Sequence, residues 1–105
     1  MLNDESLVES FERSSLNFQH FSEDLASAAA TIGKMAEEKG VSKELRSLFI
    51  QLNKLSLSYY EFRKEYLELV KESLSDPELR STFESIISEN EGCISDANVE
   101  ISRFN

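Results

Sequence analysis

The sequence predicts an all-α fold, an elongated antiparallel three-helix bundle packed through heptad repeats, and three observations predict it. The chain has 105 residues but only three glycines and one proline, so signals that break helices are scarce. Those signals gather in two places, "EEKGVSKE" around Gly40 and "SLSDPELR" around Pro77. Between them apolar residues recur in alternating steps of four and three. A sustained seven-residue repeat makes helices wind around one another left-handedly, with side chains interlocking along a seam.

The first helix is expected over about residues 5–39, its seam running Leu7, Phe11, Ser14, Phe18, Phe21, Leu25, Ala28, Ile32 and Met35. Gly40 closes it, because glycine tolerates the positive φ of a helix C-terminus, and Lys39 sits well against the negative end of the helix dipole. Ser42 is the expected N-cap of the second helix, over about 43–74. Its seam is Leu45, Leu48, Leu52, Leu55, Tyr59, Phe62, Tyr66 and Leu69. The third helix, about 77–103, starts where Ser75 or Asp76 caps it and Pro77 takes the first helical position, where a missing N–H costs nothing. Its seam is Phe83, Ile87, Asn90, Ile94, Ala97, Ile101 and Phe104. A helix of some 33 residues is roughly 50 Å long, and connections of a few residues force antiparallel neighbours. All of residues 1–105 belong to this one domain.

Charge follows the same plan. Residues 1–40 carry three basic and eight acidic groups, 41–75 six and five, and 76–105 two and seven. The middle helix therefore belongs between two acidic ones that would repel each other. Small residues at Ala26, Ala28, Ala29, Ala30 and Gly33 predict a close approach of the first helix to the second at the height of Leu48 to Leu55. Asn90, a polar residue on an apolar seam, is expected to fix register at some cost in stability.

The net charge of −9 and a pI near 4.6 disfavour direct binding to nucleic-acid phosphates or to an anionic membrane. No apolar run approaches the roughly 20 residues of a membrane span, and "MLNDESLVES" lacks the basic-then-apolar pattern of a signal peptide. The lone Cys93 cannot form an internal disulfide, so a reducing, cytoplasmic setting is the expectation.

Catalysis is not expected. The lone histidine, His20, lies off the seam on an acidic helix. Phosphotransfer domains of bacterial signalling relays carry a lysine and a glycine three and four residues beyond their histidine; Glu23 and Asp24 stand there in this chain and would repel a phosphoryl donor. A two-metal carboxylate site needs Glu-x-x-His pairs, which are absent, and Glu61, Glu65, Glu68 and Glu72 are interleaved with Arg63, Lys64 and Lys71 as on a solvated face. No phosphate loop, nucleophile elbow or zinc spacing occurs, so no cofactor or metal is expected. Three long antiparallel helices are loosely similar to spectrin-type repeats and to curved-dimer membrane modules, but the tryptophan of the former and the basic face of the latter are missing.

The functional question is set by "LSLSYYEFRKEYLELV", residues 55–70, which has more apolar positions than one seam uses. Ile50, Leu57, Tyr60 and Leu67 fall mainly on the side of the second helix away from its seam. Exposed together they would make a patch that soluble monomers avoid, so they are the expected partner-binding residues. A second copy is the simplest partner, giving a homodimer, and a different protein with a complementary helix is the other. The competing assignment is internal, since a middle helix must meet two neighbours. The sequence therefore predicts a non-catalytic interaction module, an adaptor, scaffold subunit or inhibitor. The alternative class is an acidic decoy whose carboxylates imitate nucleic-acid phosphates and block a basic groove.

Overall fold

The computed structural model describes residues 2–104, without the side chain of Phe104, the last residue of the third predicted seam. Three helices follow one another, α1 at Asp4–Lys39, α2 at Lys43–Ser73 and α3 at Pro77–Phe104. They form an elongated three-helix bundle of 54 × 22 × 18 Å with a radius of gyration of 17.0 Å. A compact domain of this length would have a radius near 13 Å, so the excess measures how far the long helices stretch it.

The ends of the helices are set by local chemistry. Asn3 caps α1 through a reciprocal pair: its Oδ1 accepts from the Ser6 backbone N–H at 2.9 Å, and Ser6 Oγ accepts from the Asn3 N–H at 3.1 Å. This box begins α1 one residue earlier than the apolar pattern suggested. Gly40 follows α1 with φ 80° and ψ 165°, a region nearly confined to glycine. Ser42 caps α2 by accepting from the Leu45 N–H at 3.1 Å. Of the two candidates before Pro77, Asp76 is the cap, its Oδ1 accepting from the Glu78 N–H at 2.9 Å.

A tertiary bond reinforces that junction. The two carboxylate oxygens of Asp4, in the first turn of α1, accept from the backbone N–H groups of Ser75 and Asp76, both at 2.9 Å. One side chain thus satisfies two donors that no helix can reach and pins the start of α1 to the α2–α3 turn. Asp4→Ala is expected to lower stability by about 1–2 kcal/mol, the usual cost of losing a cap. Thermal melts would read this as a loss of roughly 4–8 °C for each kcal/mol.

α2 is the central helix. α3 runs antiparallel along it, and two ion pairs mark the register, Lys64 to Glu91 at 3.3 Å and Lys71 to Glu84 at 3.0 Å. The partners step by one heptad on each helix. These pairs are partly exposed and contribute tenths of a kcal/mol, so they select register more than they stabilise. α1 lies along another flank of α2, with Phe18 and Phe21 against Tyr59 at ring-centroid distances of 4.8 and 5.2 Å.

The core is concentrated at the end that holds the α2–α3 turn. Leu7 of α1, Leu67, Val70 and Leu74 of α2 or its C-cap, and Phe83 and Ile87 of α3 form one buried cluster. Phe11 joins it through a tilted ring pair with Phe83 at 4.7 Å. Leu7 is the one buried residue of α1 among the described residues, so α1 is anchored by its first turns. Further along, Ala26 and the half-buried Ala29 line a cleft of about 180 Å³ with Leu52 and Tyr59, while Ala28, Ala30 and Gly33 are exposed.

Asn90 marks the boundary of the core. It is 1 % exposed, its Nδ2 donating to the Tyr60 carbonyl at 2.8 Å and its Oδ1 accepting from Arg63 Nη1 at 3.5 Å. The Arg63 guanidinium in turn stands 4.8 Å from the centre of the Phe18 ring. The predicted register role thus has a geometry, a polar contact tying α3 to α2 with an arginine that reaches across to α1.

Candidate interaction surface

α2 carries three apolar stripes, and the neighbouring helices cover two of them. Toward α1 point Leu45, which is buried, and the half-buried Leu52, Tyr59 and Tyr66. Toward α3 point Tyr60, Leu67, Val70 and Leu74, a set that ends in the core cluster. The third stripe is Leu48, Leu55, Phe62 and Leu69, which are 49, 52, 63 and 65 % exposed. One heptad separates each from the next, so they form a nearly straight apolar line along the helix.

This arrangement corrects the expected seam. Leu48, Leu55, Phe62 and Leu69 do not interlock with α1; only the alternate members of that repeat do. A helix surface has room for one neighbour per roughly 100° of arc, and α1 sits over the Leu45–Leu52–Tyr59–Tyr66 side. Phe62 nevertheless has neighbours of its own within α2. The Phe62 ring stacks on Tyr66 at 6.4 Å and meets Tyr59 at 6.4 Å, so its two tyrosine neighbours fix its orientation while its outer face stays open.

The expected partner residues are placed differently from one another. Leu67 is 0 % exposed, enclosed in the core between α2 and α3, and offers nothing to an outside partner. Tyr60 is half-buried where all three helices meet: its ring lies edge-on to Phe18 at 5.5 Å and its carbonyl takes the Asn90 bond. Burial raises the pKa of its phenol and the neighbouring Cys93 raises it further, against opposing effects of Ser22 and Arg63. Its hydroxyl therefore belongs to an internal junction with α1 and α3, not to the wet rim of an interface. Leu57 is half-buried one heptad before Lys64, on the flank of α2 that borders α3. Ile50 is half-buried and lines a shallow groove with Arg46 and Lys54. These four do not make the exposed apolar belt that was expected; the Leu48–Leu69 stripe does.

A sequence signal for this placement existed. Lys64 and Lys71 lie one heptad apart beside Leu57, and Glu84 and Glu91 lie one heptad apart on α3. Matching them in antiparallel register turns the Leu57–Tyr60–Leu67 side toward α3 and leaves the opposite side open.

Charge is divided along the exposed part of α2. Lys43, Arg46 and Lys54 lie with Glu44 toward its N-terminal half, and Glu61, Glu65, Glu68 and Glu72 toward its C-terminal half. Among the described residues none of these eight has an ion-pair partner, whereas Lys64 and Lys71 are occupied by α3. The remaining candidates are scattered. His20 is exposed on α1, and Cys93 is a half-buried free thiol beside Tyr60. Among the described residues no three His, Cys, Asp or Glu side chains converge as they would around a metal ion, and no helix is long and apolar enough to cross a membrane. No protein-family model, curated protein or solved structure matches this chain.

Proposed function

We propose that the chain is a non-catalytic protein–protein interaction module that works through the exposed apolar stripe of α2. The observation that supports this reading is the line Leu48, Leu55, Phe62 and Leu69, each about half exposed or more. Burying one such side chain completely contributes about 1.5–3 kcal/mol, so leaving four in water wastes stability that a partner surface would recover. A heptad-spaced line is moreover the shape that an amphipathic helix accepts as anchors in a groove. Exposed Gln51, Ser58, Glu65 and Glu72, each three positions beyond a member of the stripe, supply a polar rim, as interfaces of moderate affinity have.

The test is the double variant Leu55→Lys/Phe62→Lys. Both side chains already reach water, so the variant is expected to stay folded, its stability lowered by about 0.5–1.5 kcal/mol through loss of the Phe62 ring contacts. Tagged parent and tagged variant would each be challenged with a cell extract and with a differently tagged second copy. Retention of a defined protein by the parent and its loss from the variant supports the reading. Equal retention by both, or none by either, overturns it.

A further inference from the structure

We infer that the cleft between α1 and α2 binds one small, neutral aromatic molecule that carries a hydrogen-bond donor, such as a phenol. This site is independent of the exposed stripe, which lies on another side of α2. The cleft measures about 180 Å³ and is walled by Phe18, Phe21 and Leu25 of α1 and by Leu52, Tyr59 and Tyr60 of α2. A cavity of roughly 150 Å³ lined by leucine, isoleucine and phenylalanine holds one benzene, so this space fits a single ring with a small substituent.

The walls are in place before any ligand arrives. Phe18 and Phe21 lie against Tyr59 at 4.8 and 5.2 Å, and Phe18 meets Tyr60 edge-on at 5.5 Å, so each ring orients the next. Ala26 and Ala29 leave room that longer side chains would fill, and the exposure of Ala26 puts the mouth of the cleft at the surface. A ring entering there can meet the aromatic walls edge-on or offset, the two arrangements that such rings prefer.

The polar groups narrow the ligand class. Among the described residues that line the cleft none is charged, so an ion would lose its water without gaining a counter-charge. The ligand is therefore neutral. Ser22, Ser56 and Tyr60 carry the hydroxyls of the lining. Ser56 Oγ donates its one proton to the Leu52 carbonyl at 3.2 Å. A hydroxyl has a single proton to give and two lone pairs, so Ser56 can only accept from a ligand. An aromatic O–H or N–H supplies the donor it lacks.

Titration of the full chain with phenol, followed through the backbone amides by NMR, tests the site, with toluene and benzoate as comparisons. Phenol is expected to give saturable shifts centred on Ser22, Ala26, Ala29, Leu52 and Ser56. Toluene should bind the same residues more weakly, and benzoate should not bind. Ala29→Leu fills the cleft and should keep the parental helical spectrum while losing the phenol shifts. If Ala29→Leu does not fold, Ala26→Leu at the mouth takes its place. Ala30→Leu, outside the cleft, should respond to phenol as the parent does. Absence of saturable phenol shifts, or shifts that persist in a folded filling variant, overturns the site. Toluene or benzoate binding as tightly as phenol overturns the ligand class.

Discussion

Leu67→Lys is expected to unfold the bundle. Leu67 is fully enclosed, with Val70 and Leu74 on its own side and Phe83, Ile87 and Leu7 across from it. Removing a buried leucine side chain costs about 2–5 kcal/mol even when alanine replaces it. Lysine adds a charge at a position with no solvent exposure, among the apolar side chains of the core cluster. The combined penalty matches or exceeds the roughly 5–15 kcal/mol that holds a whole domain. Circular dichroism should show loss of most helical signal at room temperature. A parental spectrum and melt would mean that Leu67 is accessible after all, and would return it to the set of partner residues. The same exchange at Leu55, one stripe away on the same helix, is expected to be almost silent. The contrast between the two sites measures which face of α2 is inside.

Phe83→Ala is the second large effect. Phe83 is almost completely buried, and its ring meets Phe11 at 4.7 Å and 58°. That ring pair is the bridge from α3 to α1 at the end where the core lies. Truncating a core phenylalanine costs about 3–5 kcal/mol, of which the aromatic pair itself supplies about 0.5–1.5. The melting temperature should fall by more than about 10 °C. A double-mutant cycle with Phe11→Ala isolates the pair, and a coupling near zero would show that the two rings contribute independently. Since α1 has just one buried residue among those described, the variant should also loosen α1 before the α2–α3 hairpin. Hydrogen exchange resolved by residue would detect that order, with amides of α1 losing protection first.

The helices themselves were largely legible. Gly40, Ser42, Asp76 and Pro77 punctuate the chain where the structure does, because capping is local chemistry between residues a few positions apart. The seam of α3 was also readable among the described side chains: Phe83, Ile87, Asn90 and Ala97 are buried, and Ile94 and Ile101 half-buried. An outer helix meets neighbours on one side, so its apolar stripe and its buried stripe coincide. The Asp4 bond to Ser75 and Asp76 was not readable, since the atoms that meet are some 71 positions apart along the chain and no periodicity links them.

By itself the sequence determined that this protein is three long helices, where they begin and end, and that α2 has more apolar surface than one neighbour can cover. Heptad spacing and capping act within a helix, over steps of three to seven residues, so they survive without knowledge of the fold. Only the tertiary structure decided which surplus is inside. Leu57, Tyr60 and Leu67 border or enter the α2–α3 interface, while Leu48, Leu55, Phe62 and Leu69 line the open face. The two assignments differ by a rotation of α2 about its own axis, and a repeat fixes the spacing of its residues but not the direction in which they point. That direction came from long-range pairs, Lys64 with Glu91, Lys71 with Glu84, Asn90 with the Tyr60 carbonyl, and Phe18 with Tyr59. Each links residues distant in sequence, and together they hold α2 at the one rotation that satisfies both neighbours and leaves the third stripe in water.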